Sequence, residues 1–168
     1  MSFNSELAQD VKQDFAQIKH NIMTNKQRYS AAHKIWFAQN YPTAFKDGFY
    51  AEPKMPVIST ANGLTTFITN YLNWLGHRAT RINVSGRKVG DKWIRSSTRK
   101  GTADISATVK INGIGQSVMW EVKIGNDKPS EFQIKEQQKE ELAGGRYFFV
   151  KTVDDFFINY DSLFVTNN

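Results

Sequence analysis

The chain contains no cysteine. Disulfides and thiolate metal sites are therefore excluded, and any bound metal must sit on oxygen or imidazole ligands. Histidine is sparse: His20, His33 and His77 lie far apart and form neither a metal triad nor a nucleophilic-catalysis set. No stretch approaches the roughly 18 apolar residues of a membrane span, so no membrane partner is expected. Residues 1–10 lack the basic-then-apolar profile of a secretory signal, and a cytoplasmic protein is expected. There is no internal repeat and no low-complexity tract.

Acid is missing from one place in particular. Between Arg78 and Lys100 stand Arg78, Arg81, Arg87, Lys88, Lys92, Arg95, Arg99 and Lys100 against the single acid Asp91, a local net charge of +7. The whole chain carries +6, so everything else nets −1. Such a stripe suits a polyanion, because neutralising phosphates supplies most of the nonspecific affinity for nucleic acid. A solvated loop or a site for anionic lipid would also carry such charge. Trp93 lies within the stripe, suited either to packing or to stacking on an unpaired base.

What is present points to a folded domain. In 168 residues, 40% are apolar, with twelve Phe, six Tyr and four Trp, ample for a hydrophobic core. Leu7, Val11, Phe15, Ile18 and Ile22 recur at helical offsets, which predicts one long amphipathic helix from Ser5 to about Arg28. A second helix is expected around Ala31 to Gln39, ended by Tyr41-Pro42, and irregular structure from Thr43 to Ser59. Residues 1–59 thus read as a helical extension on a core spanning 60–168. That core opens with a helix carrying Leu64, Phe67, Ile68, Tyr71, Leu72 and Leu75, stopped by Gly76. A strand from Arg78 to Val84, the basic loop, two alternating strands, a helix from Glu131 to Ala143, a strand from Arg146 to Val153 and a helix from about Asp154 follow. The expected fold class is α/β (α+β), a mixed central sheet flanked by helices.

The two alternating strands carry the chemistry. Asp104–Ile111 and Ser117–Ile124 flank Asn112-Gly113, the favoured pair for a two-residue type I′ hairpin turn. Counting back in step from an Ile111–Ile114 pair brings Asp104 opposite Glu121 on one face, with Cβ atoms about 4.5–5.5 Å apart. Thr102 would then oppose Lys123, and a bulge near Gly115-Gln116 would shift the register by one. Opposed like charges destabilise a sheet unless one acid is protonated or a cation bridges them. Two carboxylates without a soft ligand suit Mg²⁺ or Mn²⁺. Lys123 shares the face of Glu121, placed to orient or deprotonate a water or to stabilise charge on a phosphate. An ordinary amphipathic hairpin with a solvated polar face is the plainer alternative, and it leaves the neighbouring basic stripe unexplained.

These residues resemble the PD-(D/E)XK nuclease superfamily, and within it the small VRR-NUC and Holliday-junction-resolvase-like nucleases of phages and bacteria. The resemblance runs from about Thr60 to Phe157. It consists of Lys100-Gly101-Thr102-Ala103-Asp104-Ile105, Glu121-Val122-Lys123, Ser130-Glu131-Phe132-Gln133, and Gly144-Gly145 followed by a strand and Val153-Asp154-Asp155-Phe156. It implies a restriction-endonuclease-like fold and a Mg²⁺- or Mn²⁺-dependent endonuclease acting on DNA rather than RNA, on branched or junction structures. By this resemblance Asp104, Glu121 and the Val122 carbonyl bind metal, Lys123 is the catalytic lysine, and Gln133 helps shape the site. Ser130 and Gln133 also match a capping box, a purely structural role. Arg81, Asn83, Arg87, Arg95, Arg99 and Lys100 would contact phosphates, which position nucleic acid without reading its sequence.

Two departures stand out. Ala103 replaces the usual proline before the aspartate. The first core helix also begins Thr60-Ala61-Asn62-Gly63-Leu64, without the glutamate that commonly adds a metal ligand, leaving Asn62 or Glu52 to serve there. A binding module with a degenerate nuclease fold, or a phage assembly protein whose N-terminal helices oligomerise, are the competing expectations. The long first helix fits a homodimer as well as a helix folded back on its own core. If the basic stripe is the substrate track, log Kd for DNA will rise linearly with log salt with a slope of several units. A flat titration between about 50 and 200 mM salt would exclude that role.

Overall fold

The computed structural model describes residues 23–82, 87–94 and 99–165, with only the backbone for 87–89, 93 and 94. The expected first helix thus lies outside the described residues up to Ile22, as do Asn83, Arg95 and the side chains of Arg87 and Trp93.

Helix α1 spans Asn25–Asn40. It starts at a capping box in which Gln27 N–H donates to Thr24 Oγ1 (3.2 Å) and Thr24 N–H donates to Gln27 Oε1 (2.8 Å). The helix runs unbroken through residues 28–31, where one helix was expected to end and another to begin. Packing carries it across: Tyr29 and Ala32 are fully buried, and the Tyr29 ring stacks on Phe67 with centroids 4.4 Å apart. The Arg28 guanidinium lies 3.6 Å from the centre of the Phe157 ring and donates twice to the Asp161 carboxylate (2.7 and 2.9 Å). Residues 25–40 therefore share the core of the domain that follows. A short helix α2 (Pro42–Lys46), with proline at its first position, replaces part of the expected irregular stretch.

Helix α3 (Ala61–Trp74) is capped by Thr60, whose Oγ1 accepts from Gly63 N–H at 3.1 Å. It buries Leu64, Phe67, Ile68, Tyr71 and Leu72 completely. Strand β1 (Arg78–Arg81) follows. The basic segment, expected as a loop, forms a two-stranded hairpin from β2 (Arg87–Val89) and β3 (Lys92–Ile94). Its turn residues are Gly90 and Asp91, and Gly90 takes φ 59°, as the first central position of a type II′ turn requires.

Strands β4 (Ile105–Ile111) and β5 (Ile114–Val122), helix α4 (Glu131–Leu142), strand β6 (Arg146–Val150) and helix α5 (Val153–Ser162) complete the described chain. The main sheet has the order β1-β4-β5-β6, antiparallel except for the parallel pair β5–β6. Asn112 (φ 49°) and Gly113 (φ 86°) form the β4–β5 turn, both left-handed as type I′ demands. Pairing runs without a bulge from Ile111–Ile114 to Ile105–Trp120, the register expected from the turn. Ile105, Ala107, Val109, Val118, Trp120, Val122 and Val150 point into one core with α3 and α5. The other face is covered by α4, whose Gln137 donates to Tyr147 O (3.0 Å) and whose Glu140 accepts from Ser117 Oγ (2.5 Å). The result is a mixed α/β domain with a four-stranded mixed sheet flanked by helices. No helix among the described residues is long and apolar enough to cross a membrane.

Gly113→Ala places a Cβ in the left-handed region, a cost of about 1–2 kcal/mol. Urea unfolding should show the midpoint falling with an unchanged m-value. An unaltered midpoint would mean that this turn does not hold the register.

Candidate active site

Burying ionised groups is costly unless partners replace water, and the end of β5 meets that cost with a compact set of contacts. Asp104 stands just before β4. Its carboxylate accepts from Val122 N–H (Oδ2, 3.0 Å), and its carbonyl accepts from Ile82 N–H (2.7 Å), tying it to the ends of β5 and β1. Glu121, one step beyond the Ile105–Trp120 pair, is only 5% exposed, and Lys123 6%. One oxygen of Glu121, Oε1, receives both Lys123 Nζ at 3.1 Å and Gln133 Nε2. Lys123 Nζ also meets Asp127 Oδ2 at 3.3 Å. The Lys123 backbone N–H donates to Val150 O (2.8 Å), extending the β5–β6 pairing past Val122 and fixing the direction of the side chain.

Gln133 fills both roles that its position allows. Its amide oxygen accepts from Ser130 N–H at 2.9 Å and closes the capping box of α4, while its amide nitrogen donates to Glu121. Tyr147, on the β6 face shared with Glu121, donates its hydroxyl to Gly101 O (3.1 Å) and anchors the segment leading into Asp104. Gly101 itself has φ 87°, and a Cβ there would lie 2.3 Å from Phe132 O, so only glycine fits.

Charge follows this packing. Burial, and next the charge of Asp104, push the Glu121 carboxyl up to about 7 against the pull of Lys123. For Lys123, burial works toward the neutral form, but the Glu121 and Asp127 carboxylates outweigh it and raise the pKa. Lys123 is therefore an ammonium at neutral pH, a donor and a positive charge rather than a proton acceptor.

Asp104, Glu121, Val122, Lys123 and Gln133 are thus brought together. The Val122 backbone N–H donates to Asp104 Oδ2, and the Asp104 backbone in turn hydrogen-bonds the Glu121 carboxyl. An electrostatic penalty at Glu121 beside Asp104 is the kind that one hard cation relieves. No group of three or more His, Asp or Glu among the described residues is placed to hold a metal ion. Thr102 does not oppose Lys123: its N–H and hydroxyl turn back to Arg99 O (3.2 and 2.8 Å), because Gly101 bends the chain before β4 starts.

The expected phosphate contacts divide. Arg81 donates to Asn62 Oδ1, so the residue standing where an acid was sought is already engaged. Glu52 is exposed, and among the described residues nothing links it to the acid pair; its charge is felt by Tyr50. Arg99 pairs with Glu136 of α4, and Lys100 Nζ lies 5.0 Å from the Phe132 ring centre. Asn83, Arg95 and the side chain of Arg87 lie outside the described residues. Asp127, Glu136 and Tyr147 were not anticipated. Only Asp127 had a local signal, four residues past Lys123 in a Gly125-Asn126 turn.

A carboxyl whose folded pKa is raised above its unfolded value stabilises fully below the unfolded pKa, here about 4.5, and that contribution is lost as pH rises through about 7. Between pH 5 and 8, wild type should therefore lose stability relative to Glu121→Gln, and Asp104→Asn should shrink the loss. Parallel urea titrations of the three proteins check this; coincident pH profiles would mean that the two acids do not interact.

Comparison of the chain with protein-family models, curated proteins and solved structures gives no match.

Proposed function

We propose that this chain is a Mg²⁺- or Mn²⁺-dependent nuclease with a restriction-endonuclease-like fold, cutting phosphodiester bonds of DNA, with branched or junction DNA as its preferred form. The observation that carries this reading is the paired placement of Asp104 and Glu121 at one sheet end, with Lys123 and Gln133 on the same Glu121 oxygen. An acid pair serving stability alone gains nothing from the burial and repulsion that lift Glu121 to about 7. The same pair is well matched to a divalent cation and a phosphate. The segment leading into Asp104 carries Arg99 and Lys100, both exposed, at the end of the basic stripe. The setting is the cytoplasm of a bacterium, with a phage-encoded role in keeping with the resemblance.

Asp104 and Glu121 would hold the ion, with the Val122 carbonyl as the further ligand the resemblance implies. Bound there, a divalent ion polarises the phosphodiester and acidifies a coordinated water. Lys123, protonated and held by two carboxylates, donates to a phosphate oxygen and offsets charge as it develops. Gln133 and Lys123 together keep Glu121 Oε1 in place. Arg81, Asn83, Arg87, Arg95, Arg99 and Lys100 supply the phosphate track.

A second reading has a specific observation behind it. Asn62 at the start of α3 is taken by Arg81, and no third acid joins the pair among the described residues. A chain that binds nucleic acid through this fold without turnover fits that. Labelled junction, duplex and single-stranded DNA incubated with Mn²⁺ or Mg²⁺ decides between them. Cleavage by wild type is expected, falling at least about 100-fold in Asp104→Asn, Glu121→Gln and Lys123→Met, in line with loss of one positioned charge. DNA binding without any cleavage in either ion would establish the second reading, and cleavage unchanged in all three variants would place the chemistry elsewhere.

A further inference from the structure

Large apolar side chains scattered singly on a surface are ordinary, and most exposed ones here fit that description. Ile114 follows the hairpin turn, Leu142 ends α4, and Ile158 lies on the outer side of α5. Phe132 differs by its surroundings. It is 54% exposed in the first turn of α4, directly before Gln133, whose amide holds Glu121. Its backbone is fixed from below, because Gly101 approaches so closely that a Cβ would sit 2.3 Å from Phe132 O. Lys100 Nζ, on an exposed side chain, stands over the face of the ring, 5.0 Å from its centre. Lys135, three residues on and exposed, shares the same side of the helix.

An aromatic ring on a rigid mount, with an ammonium over it and one residue from the glutamine that holds Glu121, has the make-up of a base-stacking platform. Stacking needs a flat apolar face open to solvent, and the adjoining phosphates need cations within a few ångströms. A base inside an intact duplex offers no free face, so the ring can act only on a nucleotide outside a continuous stack. We propose that Phe132 stacks on an unpaired base next to the scissile phosphate, the base taking the place over the ring that the exposed Lys100 side chain holds and Lys100 turning to the adjoining backbone. The substrate class is therefore DNA with an unpaired nucleotide at the cut: a flap, bulge or open junction arm rather than continuous duplex. This rests on the nuclease reading for the word "scissile", while the stacking itself does not depend on turnover.

The test uses the full chain and an oligonucleotide duplex with 2-aminopurine as a single bulged base, in EDTA so that nothing is cut. Wild type should quench the fluorophore on binding. Phe132→Ala should abolish the quench and weaken binding about 5- to 150-fold, the range for loss of one aromatic–base stack. Phe132→Trp should keep both, and neither variant should alter affinity for unbroken duplex. As Phe132 is half exposed, Phe132→Leu, which keeps apolar bulk without the ring face, controls for folding and should behave like the alanine variant. A bulge affinity and quench unchanged in Phe132→Ala would overturn the proposal, as would equal weakening on bulged and unbroken DNA. Absence of cleavage when Mn²⁺ is added, with the Phe132-dependent quench intact, would instead remove the nuclease reading and leave the platform standing.

Discussion

The burial of Glu121 on β5 beside the carboxylate of Asp104, just before β4, is the constraint around which this molecule is arranged. Asp104 and Glu121 approach because an Asn-Gly turn holds the β4–β5 ladder in one register over its whole length. Moving either strand by one residue would turn Glu121 into the apolar core and Trp120 outward, since side chains alternate with period two. With Trp120 fully buried against Phe156 (ring centres 5.8 Å apart), that slip is prohibitively costly. The core thus enforces a proximity that electrostatics alone would undo. Lys123, Gln133 and the N–H of Val122 then surround the acids.

Helix α4 carries more of the site than its polar sequence implies. It has no buried residue, yet it delivers Gln133 to Glu121, Glu136 to Arg99 and the Phe132 carbonyl to Gly101. The segment before Asp104 is clamped between this helix and the Tyr147 hydroxyl. Its path is set by polar contacts, a single glycine and the burial of Ala103. Such polar contacts hold geometry well while adding little net stability.

What was legible in the sequence follows from how local each signal was. The hairpin register, the α3 core face and the Gly76 stop are encoded within a few residues of where they act, and the structure has them as expected. Gly90-Asp91 carried the same kind of hairpin signal but was overshadowed by the density of positive charge around it. The break expected near residues 28–31 failed because Tyr29 and Ala32 gain burial against α3, a contact made across some forty residues of chain. The acid pair and Lys123 could be placed by alternation alone. Asp127 and Glu136 could not, since their roles depend on where a loop and a helix come to rest.

The double use of Gln133 has its own consequence. One side-chain amide closes the first turn of α4 and also restrains Glu121, so unwinding of that turn takes away one of the two donors on Glu121 Oε1. An anion drawn to the partial positive charge at the start of α4 would tighten the turn and, through the same amide, steady the acid. The arrangement makes a helix end and a buried acid report on each other's state, with no moving domain between them.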